Sequence, residues 1–356
     1  YVGKCESISC SLLDFFCGFF SLCGFPHFGF LISESWLLIY VTIEEITRAM
    51  LSMQNNKAPG LDDLPKEYYF TFWEQLSSSL LLVYKESWDK KVLPLSMNKE
   101  MISLLWKKGS KKDLRNWRPL TLLGVDIKIL TKALFFRLQA VVPKLIGVEQ
   151  TCGILGRKMT DSLAIIRDSY FYSQEKSLDN VSHAFLMKVL DKLGFGEVFQ
   201  RWICVLYSGC SSVVNCLRLT CMYLNWVTVK SGVRQGCPLS PVLFILVMEP
   251  LACALRLNES IKGLTPTGSG GMEVKYSMYM DDITLLLTDN KLIDESLAVC
   301  EAFMAASGMR INKGKSEVIY FKWQEIKENW ELIEHFETMK ILGVEIGENI
   351  VVPMTT

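Results

Sequence analysis

The chain has 356 residues, half of them apolar, with 38 basic and 38 acidic side chains and a formal charge of zero. A core of that size supports two or three compact units, and the balanced charge excludes a polyelectrolyte tail or a uniformly basic nucleic-acid binder. Any contact with nucleic acid must come from local patches, and the twelve cysteines, mostly inside apolar stretches, read as buried thiols rather than as a disulfide framework or a zinc site.

Residues 1–40 form an unassigned apolar N-terminal extension. Its run from 11 to 33 is long enough to suggest a membrane span. Asp14, Pro26 and His27 interrupt that run and no basic cluster flanks it closely, so a buried extension or an artefact of the gene model is expected and no strong membrane signal remains. From Val41 the pattern turns amphipathic. Thr42 predicts an N-cap and Glu45 its capping-box partner. Lys57-Ala58-Pro59-Gly60-Leu61-Asp62-Asp63 then breaks the helix, and apolar spacing of three and four predicts helices over 68–88 and 127–142.

Between those helices, residues 101–106 read as a strand entering a basic loop. Residues 99–118 hold seven basic side chains and two acidic ones. A solvated tip is the plain reading of such a run, but interleaved Trp106 and Trp117 make it a candidate surface for phosphate and base. Residues 186–207 read as helix interrupted at Gly194 and Gly196, 212–229 as strands, and 238–257 as a long apolar helix. Residues 273–288 alternate with period two around a tight turn that carries Asp281 and Asp282, and the whole pattern is α+β. Two adjacent carboxylates at a hairpin tip repel one another, a cost that a divalent cation offsets. Ordinary polar turn residues are the alternative.

Ser231-Gly232-Val233-Arg234-Gln235-Gly236-Cys237-Pro238 places a glycine loop directly before the apolar helix, where backbone N–H groups can meet phosphate. With Tyr279-Met280-Asp281-Asp282, it resembles motifs B and C of reverse transcriptases. Other segments of that series follow in order: Lys57-Ala58-Pro59-Gly60-Leu61-Asp62, Asn116-Trp117-Arg118-Pro119-Leu120, Gln150-Thr151-Cys152-Gly153 with Gly156-Arg157, Ser307-Gly308-Met309-Arg310-Ile311-Asn312-Lys313-Gly314-Lys315-Ser316 (motif D) and Ile341-Leu342-Gly343-Val344 (motif E). Over residues 41–348 the chain thus resembles the reverse-transcriptase domain of non-LTR (LINE-type) retrotransposons.

That resemblance implies a right-hand polymerase whose small palm β-sheet packs on helices. Residues 41–170 would be fingers-like and 171–348 palm-like, with the thumb absent or truncated. It implies deoxynucleotide addition to a DNA primer on an RNA template, two Mg²⁺ ions as cofactors, and a cytoplasmic or nuclear location. Asp281 and Asp282 fall on metal-ligand and catalytic positions, and Lys315 falls near the leaving pyrophosphate. Gln235 and Gly236 fall against the nascent base pair, Lys107 and Arg118 on the triphosphate or template backbone, and Tyr279 beside the primer end.

Motif A departs from the family pattern. Ser173-Gln174-Glu175-Lys176-Ser177-Leu178-Asp179-Asn180-Val181-Ser182-His183 matches it at Asp179, Val181 and His183. The catalytic aspartate position, however, is Ser173, and the steric-gate aromatic position is Leu178. Asp168-Ser169-Tyr170-Phe171-Tyr172 runs straight into Ser173, so the apolar strand before it reads as deleted and little or no polymerase activity is expected. Three explanations stand: a decayed retrotransposon copy, which is preferred; a truncated gene model of a working enzyme; or a carboxylate from Glu175, Asp179 or Asp168 moved into the lost place. Glu175 shares the strand face of Ser173 if a strand persists there. The functional alternative to an impaired polymerase is a non-catalytic nucleic-acid-binding remnant.

Overall fold

The computed structural model describes residues 40–113, 116–158, 161, 172–175, 181–215, 226–265, 273–289, 291–311, 316–319, 333–335, 338–341 and 344–347. The N-terminal extension, Asp168, Leu178, Asp179 and Lys315 lie outside the described residues.

Thr42 caps the first helix, α1 (Ile43–Leu51): Glu45 N donates to Thr42 Oγ1 at 3.3 Å, and Thr42 N to Glu45 Oε2 at 2.8 Å. Two otherwise unpaired helix-end donors are thereby satisfied from local sequence alone. In the loop that follows, Gly60 runs so close to the backbone of Gly124 that a Cβ would stand 2.5 Å from its nitrogen. The chain continues through α2 (Lys66–Thr71), α3 (Trp73–Lys90), α4 (Leu95–Asn98), β1 (Lys99–Trp106), β2 (Trp117–Leu122) and α5 (Val125–Leu145). Next come β3 (Tyr172–Glu175), α6 (His183–Lys192), α7 (Glu197–Tyr207), β4 (Ser211–Asn215) and β5 (Val227–Thr228). The expected break between α6 and α7 falls at Gly194, whose φ of 76° suits glycine.

The last stretch holds α8 (Ser240–Leu257), β6 (Tyr276–Tyr279), β7 (Asp282–Leu285), α9 (Lys291–Ser307), β8 (Glu317–Ile319), β9 (Ile333–His335), β10 (Thr338–Ile341) and β11 (Val344–Gly347). Helix α8 is long and apolar enough to cross a membrane, yet most of it is buried inside the fold. Every residue from Val242 to Met248 is buried, as a core helix that is apolar all round should be. Cys210, Cys237, Cys253 and Cys300 are buried as thiols.

The chain divides into two compact units, each discontinuous in sequence. Among the described residues, one comprises Tyr40–Val142 together with Leu190–Leu243; the other comprises those within Pro143–Val189 and from Phe244 onward. The expected boundaries, after residues 40 and 170, would instead make each segment continuous.

In the first unit a four-stranded sheet has the order β2-β1-β4-β5. Strands β1 and β2 form an antiparallel hairpin with Trp106 opposite Trp117. Strand β4 runs parallel to β1 with Lys99 opposite Ser211, and that pairing requires the long helical crossover that separates them in sequence. Trp88 of α3 and Trp202 of α7 meet with ring centroids 4.9 Å apart, while the Arg201 guanidinium lies 4.6 Å over Trp88.

In the second unit the order is β6-β7-β3-β8-β9, and β10 pairs separately with β11, Ile341 opposite Val344. Phe185 and Phe303 pack edge to face at 5.6 Å. A strand runs through the truncated motif A segment: β3 lies mid-sheet, antiparallel to both β7 and β8, while the residues before Tyr172, where the apolar strand was expected to be missing, lie outside the described residues. Tyr-Ser-Gln-Glu has no apolar run, so hydropathy gave no sign of it. Backbone pairing on both sides satisfies its N–H and C=O groups whatever the side chains are.

Candidate active site

Strands β6 and β7 form the hairpin whose turn is Met280-Asp281. Tyr279 pairs with Asp282, Met278 with Ile283 and Ser277 with Thr284. Alternation places Met278, Ile283, Tyr276 and Leu285, all buried, on one face, and Tyr279 and Asp282 on the other. Met280 has φ 56°, a left-handed conformation that costs a non-glycine residue about 1–2 kcal/mol.

A segment from far earlier in the chain supports that turn. Thr151 N donates to Met278 O at 3.2 Å and Met278 N to Glu149 O at 2.9 Å, so residues 149–151 extend the sheet beyond β6. Gln150 is only 2% exposed. Its Oε1 accepts from Met280 N at 3.4 Å and from Cys152 N at 3.3 Å, which ties the strained residue to the sheet edge. Its Nε2 is buried with no hydrogen-bond partner among the described residues. A side-chain hydrogen bond with Cys152 pushes the Tyr279 phenol upward. Desolvation pushes the Cys152 thiol upward, and the nearby Asp281 charge adds to that shift.

Arg256 gathers a part-buried polar cluster in the same unit. Arg256 holds Glu149 through Nε at 3.1 Å and Nη2 at 3.0 Å, and Nη2 also donates to Tyr276 Oη at 2.8 Å. Glu249, 1% exposed, lies 3.5 Å from the same guanidinium and accepts from Gly147 N at 3.3 Å. Burial pushes its carboxyl up to about 7, against the lowering influence of Arg256 and Gly147 N–H. Arg157 donates to the carbonyls of Pro143, Ile146, Gly147 and Gln150, pinning the loop that carries Gln150.

Strand β3 enters the same sheet beside β7. Glu175 stands opposite Asp282, Gln174 opposite Ile283 and Ser173 opposite Thr284. Tyr279, Asp282 and Glu175 therefore occupy one row across three strands. Ser173 lies in the next row of that face, with Ser277 and Thr284, which are both buried.

In the first unit the basic hairpin ends in exposed Lys107, Lys108, Lys111 and Lys112. Trp106 Nε1 donates to Gly109 O, Trp117 Nε1 to Lys111 O and Asn116 Nδ2 to Ser110 O, at 3.2, 3.0 and 2.9 Å, and the Lys111 ammonium lies 5.4 Å from the Trp106 ring. Arg118 lies on β2 opposite Leu105. One of the two acids counted against this patch, Glu100, is buried and pairs with Arg234 at 2.9 Å; it also accepts from Ser212 Oγ. The tip is thus more basic than the residue count suggests. Gln235 is half-buried. Gly236 has φ 77°, and a Cβ there would stand 2.7 Å from Thr121 O on β2, so only glycine fits this close approach.

The profile of the reverse transcriptase (RNA-dependent DNA polymerase) family matches residues 107–346, well over half the chain. The chain belongs to the reverse transcriptase family. This reverse transcriptase domain is 34% identical over 294 residues to the "Transposon TX1 uncharacterized 149 kDa protein" of Xenopus laevis, covering 78% of this chain and 22% of that protein. It is 27% identical over 228 residues to the Pol polyprotein of the type-1 retrotransposable element R2 of Popillia japonica, covering 60% and 31%. It is 23% identical over 346 residues to the RNA-directed DNA polymerase from the mobile element jockey of Drosophila funebris, covering 87% and 35%. The reverse transcriptase chain spans between about a fifth and about a third of these relatives' lengths, and they are proteins of non-LTR retrotransposons, the expected group.

Within the second unit the structure brings Tyr279, Asp281, Asp282 and the β3 residues Ser173 and Glu175 into one sheet region. Within the first it brings Lys107 and Arg118 onto one hairpin and Gly236 against β2. The support from Gln150 went unread in the sequence because its partner, Met280, lies 130 residues away. Its only local signal was membership of the Gln150-to-Arg157 motif. Arg234 stood inside motif B but was not singled out, and nothing local marks it as an ion-pair partner of Glu100.

Proposed function

We propose that this chain is the fingers and palm of a non-LTR retrotransposon reverse transcriptase, RNA-directed in template and DNA-synthesising in ancestry, whose polymerisation is impaired at motif A. The observation that carries the proposal is Ser173, a hydroxyl where the family pattern has a carboxylate. Asp281 and Asp282 offer hard carboxylate oxygens at one turn, a donor set that suits Mg²⁺, which is commonly held by one or two carboxylates plus substrate phosphates. The buried, unpartnered Nε2 of Gln150 at the same turn adds a donor for an outer-shell oxygen. No group of three or more His, Cys, Asp or Glu side chains gathers among the described residues, so these two carboxylates carry the site.

When bound, the metal supplies charge stabilisation to an in-line phosphoryl displacement. The chain's own share of the work is positional. Gln150 and the β6–β7 ladder hold Asp281 and Asp282 at the tip, Lys107 and its neighbours attract the polyanionic template and triphosphate, and Gln235 with Gly236 offers a surface for the base pair. Lys315 and Tyr279 serve the leaving group and the primer end in this reading. Loss of one ligand forfeits about 3–5 kcal/mol of transition-state stabilisation, or about 10²- to 10⁴-fold in rate.

Primer extension on an RNA template with Mg²⁺, then Mn²⁺, tests this. Near-background synthesis is expected, with a gain for Ser173→Asp. Processive synthesis by the unaltered chain, abolished by Asp281→Ala, overturns the impairment. The second reading, a non-catalytic binder, is favoured by the exposed lysine tip; it predicts salt-dependent binding of an RNA–DNA hybrid that weakens when Lys107, Lys108, Lys111 and Lys112 are replaced by alanine.

A further inference from the structure

We infer that the face shared by α1 and α5 holds one unpaired nucleotide of a single strand, its base against Phe136 and its phosphate drawn to Arg48 and Lys132. The inference goes beyond the polymerase reading, because it needs neither the β6–β7 turn nor the basic hairpin. Helix α1 also lies outside residues 107–346, the part matched to the family. On α5, Ala133, Phe136, Arg137 and Ala140 follow the helical spacing of three and four that sets residues on one face. Glu45 and Arg48 of α1 stand three apart in the same way. Together these six side chains line a cavity of about 250 Å³. Sites for drug-sized ligands run to about 300–1,000 Å³, so this one suits a single base.

One pair in the lining fastens the two helices. Arg137, its side chain 5% exposed, donates from Nε to Glu45 Oε1 at 2.6 Å and from Nη2 to Glu45 Oε2 at 2.7 Å, and Nη2 also reaches Tyr40 O at 3.1 Å. The other cations lack such a match. The Arg48 guanidinium lies 4.4 Å from the Phe136 ring centroid. The Lys132 ammonium lies 4.6 Å from the Phe135 centroid and 5.2 Å from that of Phe136. Neither Arg48 nor Lys132 forms an ion pair among the described residues. Lys132 is half-buried, and loss of water lowers its pKa with no carboxylate to oppose the shift. Exposed Arg48 and half-buried Phe135 and Phe136 thus present positive charge beside aromatic faces. Single-strand binders combine these two features, charge for the backbone and π-faces for the bases. An acidic peptide would answer the charges and leave the rings and the cavity unused. A duplex would do the same, since its bases are already stacked on one another.

The test uses the full chain with Lys107, Lys108, Lys111 and Lys112 replaced by alanine, so that the basic hairpin does not contribute. The probe is a fluorescently labelled single-stranded RNA of about eight nucleotides, within the usual site size, and binding is read by anisotropy. Phe136→Leu, which keeps bulk and removes the ring, and Arg48→Gln should each weaken binding at least about fivefold, whereas Phe136→Trp should stay within about twofold of the parent. An RNA duplex of equal charge should bind at least about tenfold more weakly than the single strand. With 5-iodouridine in the strand, irradiation should crosslink it to the peptide that carries Phe136. Thermal melts show whether each variant is folded, and Arg48→Gln, at an exposed position, keeps the test open if Phe136→Leu is not. The inference is overturned if the folded variants bind within about twofold of the parent, if the duplex or an acidic peptide of matched charge binds equally well, or if the single strand does not bind at all. Primer extension plays no part in these readouts, so the inference stands or falls apart from the impairment at motif A.

Discussion

Replacing Glu249 by glutamine should make the protein more stable above neutral pH and change little under mild acid. Glu249 is 1% exposed and shares the Arg256 guanidinium with Glu149, which holds its bidentate side. Burial is the largest influence on its carboxyl and raises it from 4.5 to about 7. The folded state therefore holds a proton between those values that the unfolded chain has released. Stability falls as pH rises through this window and levels off above it. The full interval, at about 1.4 kcal/mol per pH unit, amounts to about 3.4 kcal/mol, of which about 2.5 kcal/mol is lost between pH 5 and pH 8. Glutamine keeps an oxygen to accept from Gly147 N and carries no charge to desolvate. Urea unfolding of parent and Glu249→Gln at pH 5 and pH 8 reads the difference: the variant should gain about 2.5 kcal/mol relative to the parent across that range. Parallel pH dependence in the two proteins would show that Glu249 does not titrate there, and the reasoning from burial would be wrong.

Glu100→Ala leaves the Arg234 guanidinium buried and unpaired, with 3% of its side chain exposed, and should cost about 3–5 kcal/mol in urea unfolding; a loss under about 1 kcal/mol would refute the pair's role. Gly236→Ala meets both a φ of 77° and Thr121 O at 2.7 Å, whereas Gly156→Ala meets φ 86° in open space. The first should cost about 2–3 kcal/mol and the second about 1 kcal/mol, and equal losses would rule out the close approach at β2.

Much of this molecule is legible locally. The capping box of Thr42 and Glu45, the glycine break between α6 and α7, the apolar α8 and the β6–β7 hairpin all arise from contacts within a few residues, so composition and spacing reveal them. The basic hairpin was legible in outline but not in strength, because Glu100 was counted as a neighbouring charge when it is withdrawn into an ion pair with a residue 134 positions away. Strand β3 was illegible: its four residues carry no hydrophobic alternation, and its partners β7 and β8 come more than a hundred residues later.

The sequence by itself determined the family, since residue identities and short-range turn and helix chemistry require no knowledge of the rest of the chain. Only the tertiary structure decided that Glu175 rather than Ser173 stands level with Asp282, that Gln150 secures the strained Met280, and that Glu249 shares its cation with Glu149. These depend on strand register and on burial. Both are set by backbone hydrogen bonding and packing between segments far apart in the chain, to which local sequence is blind.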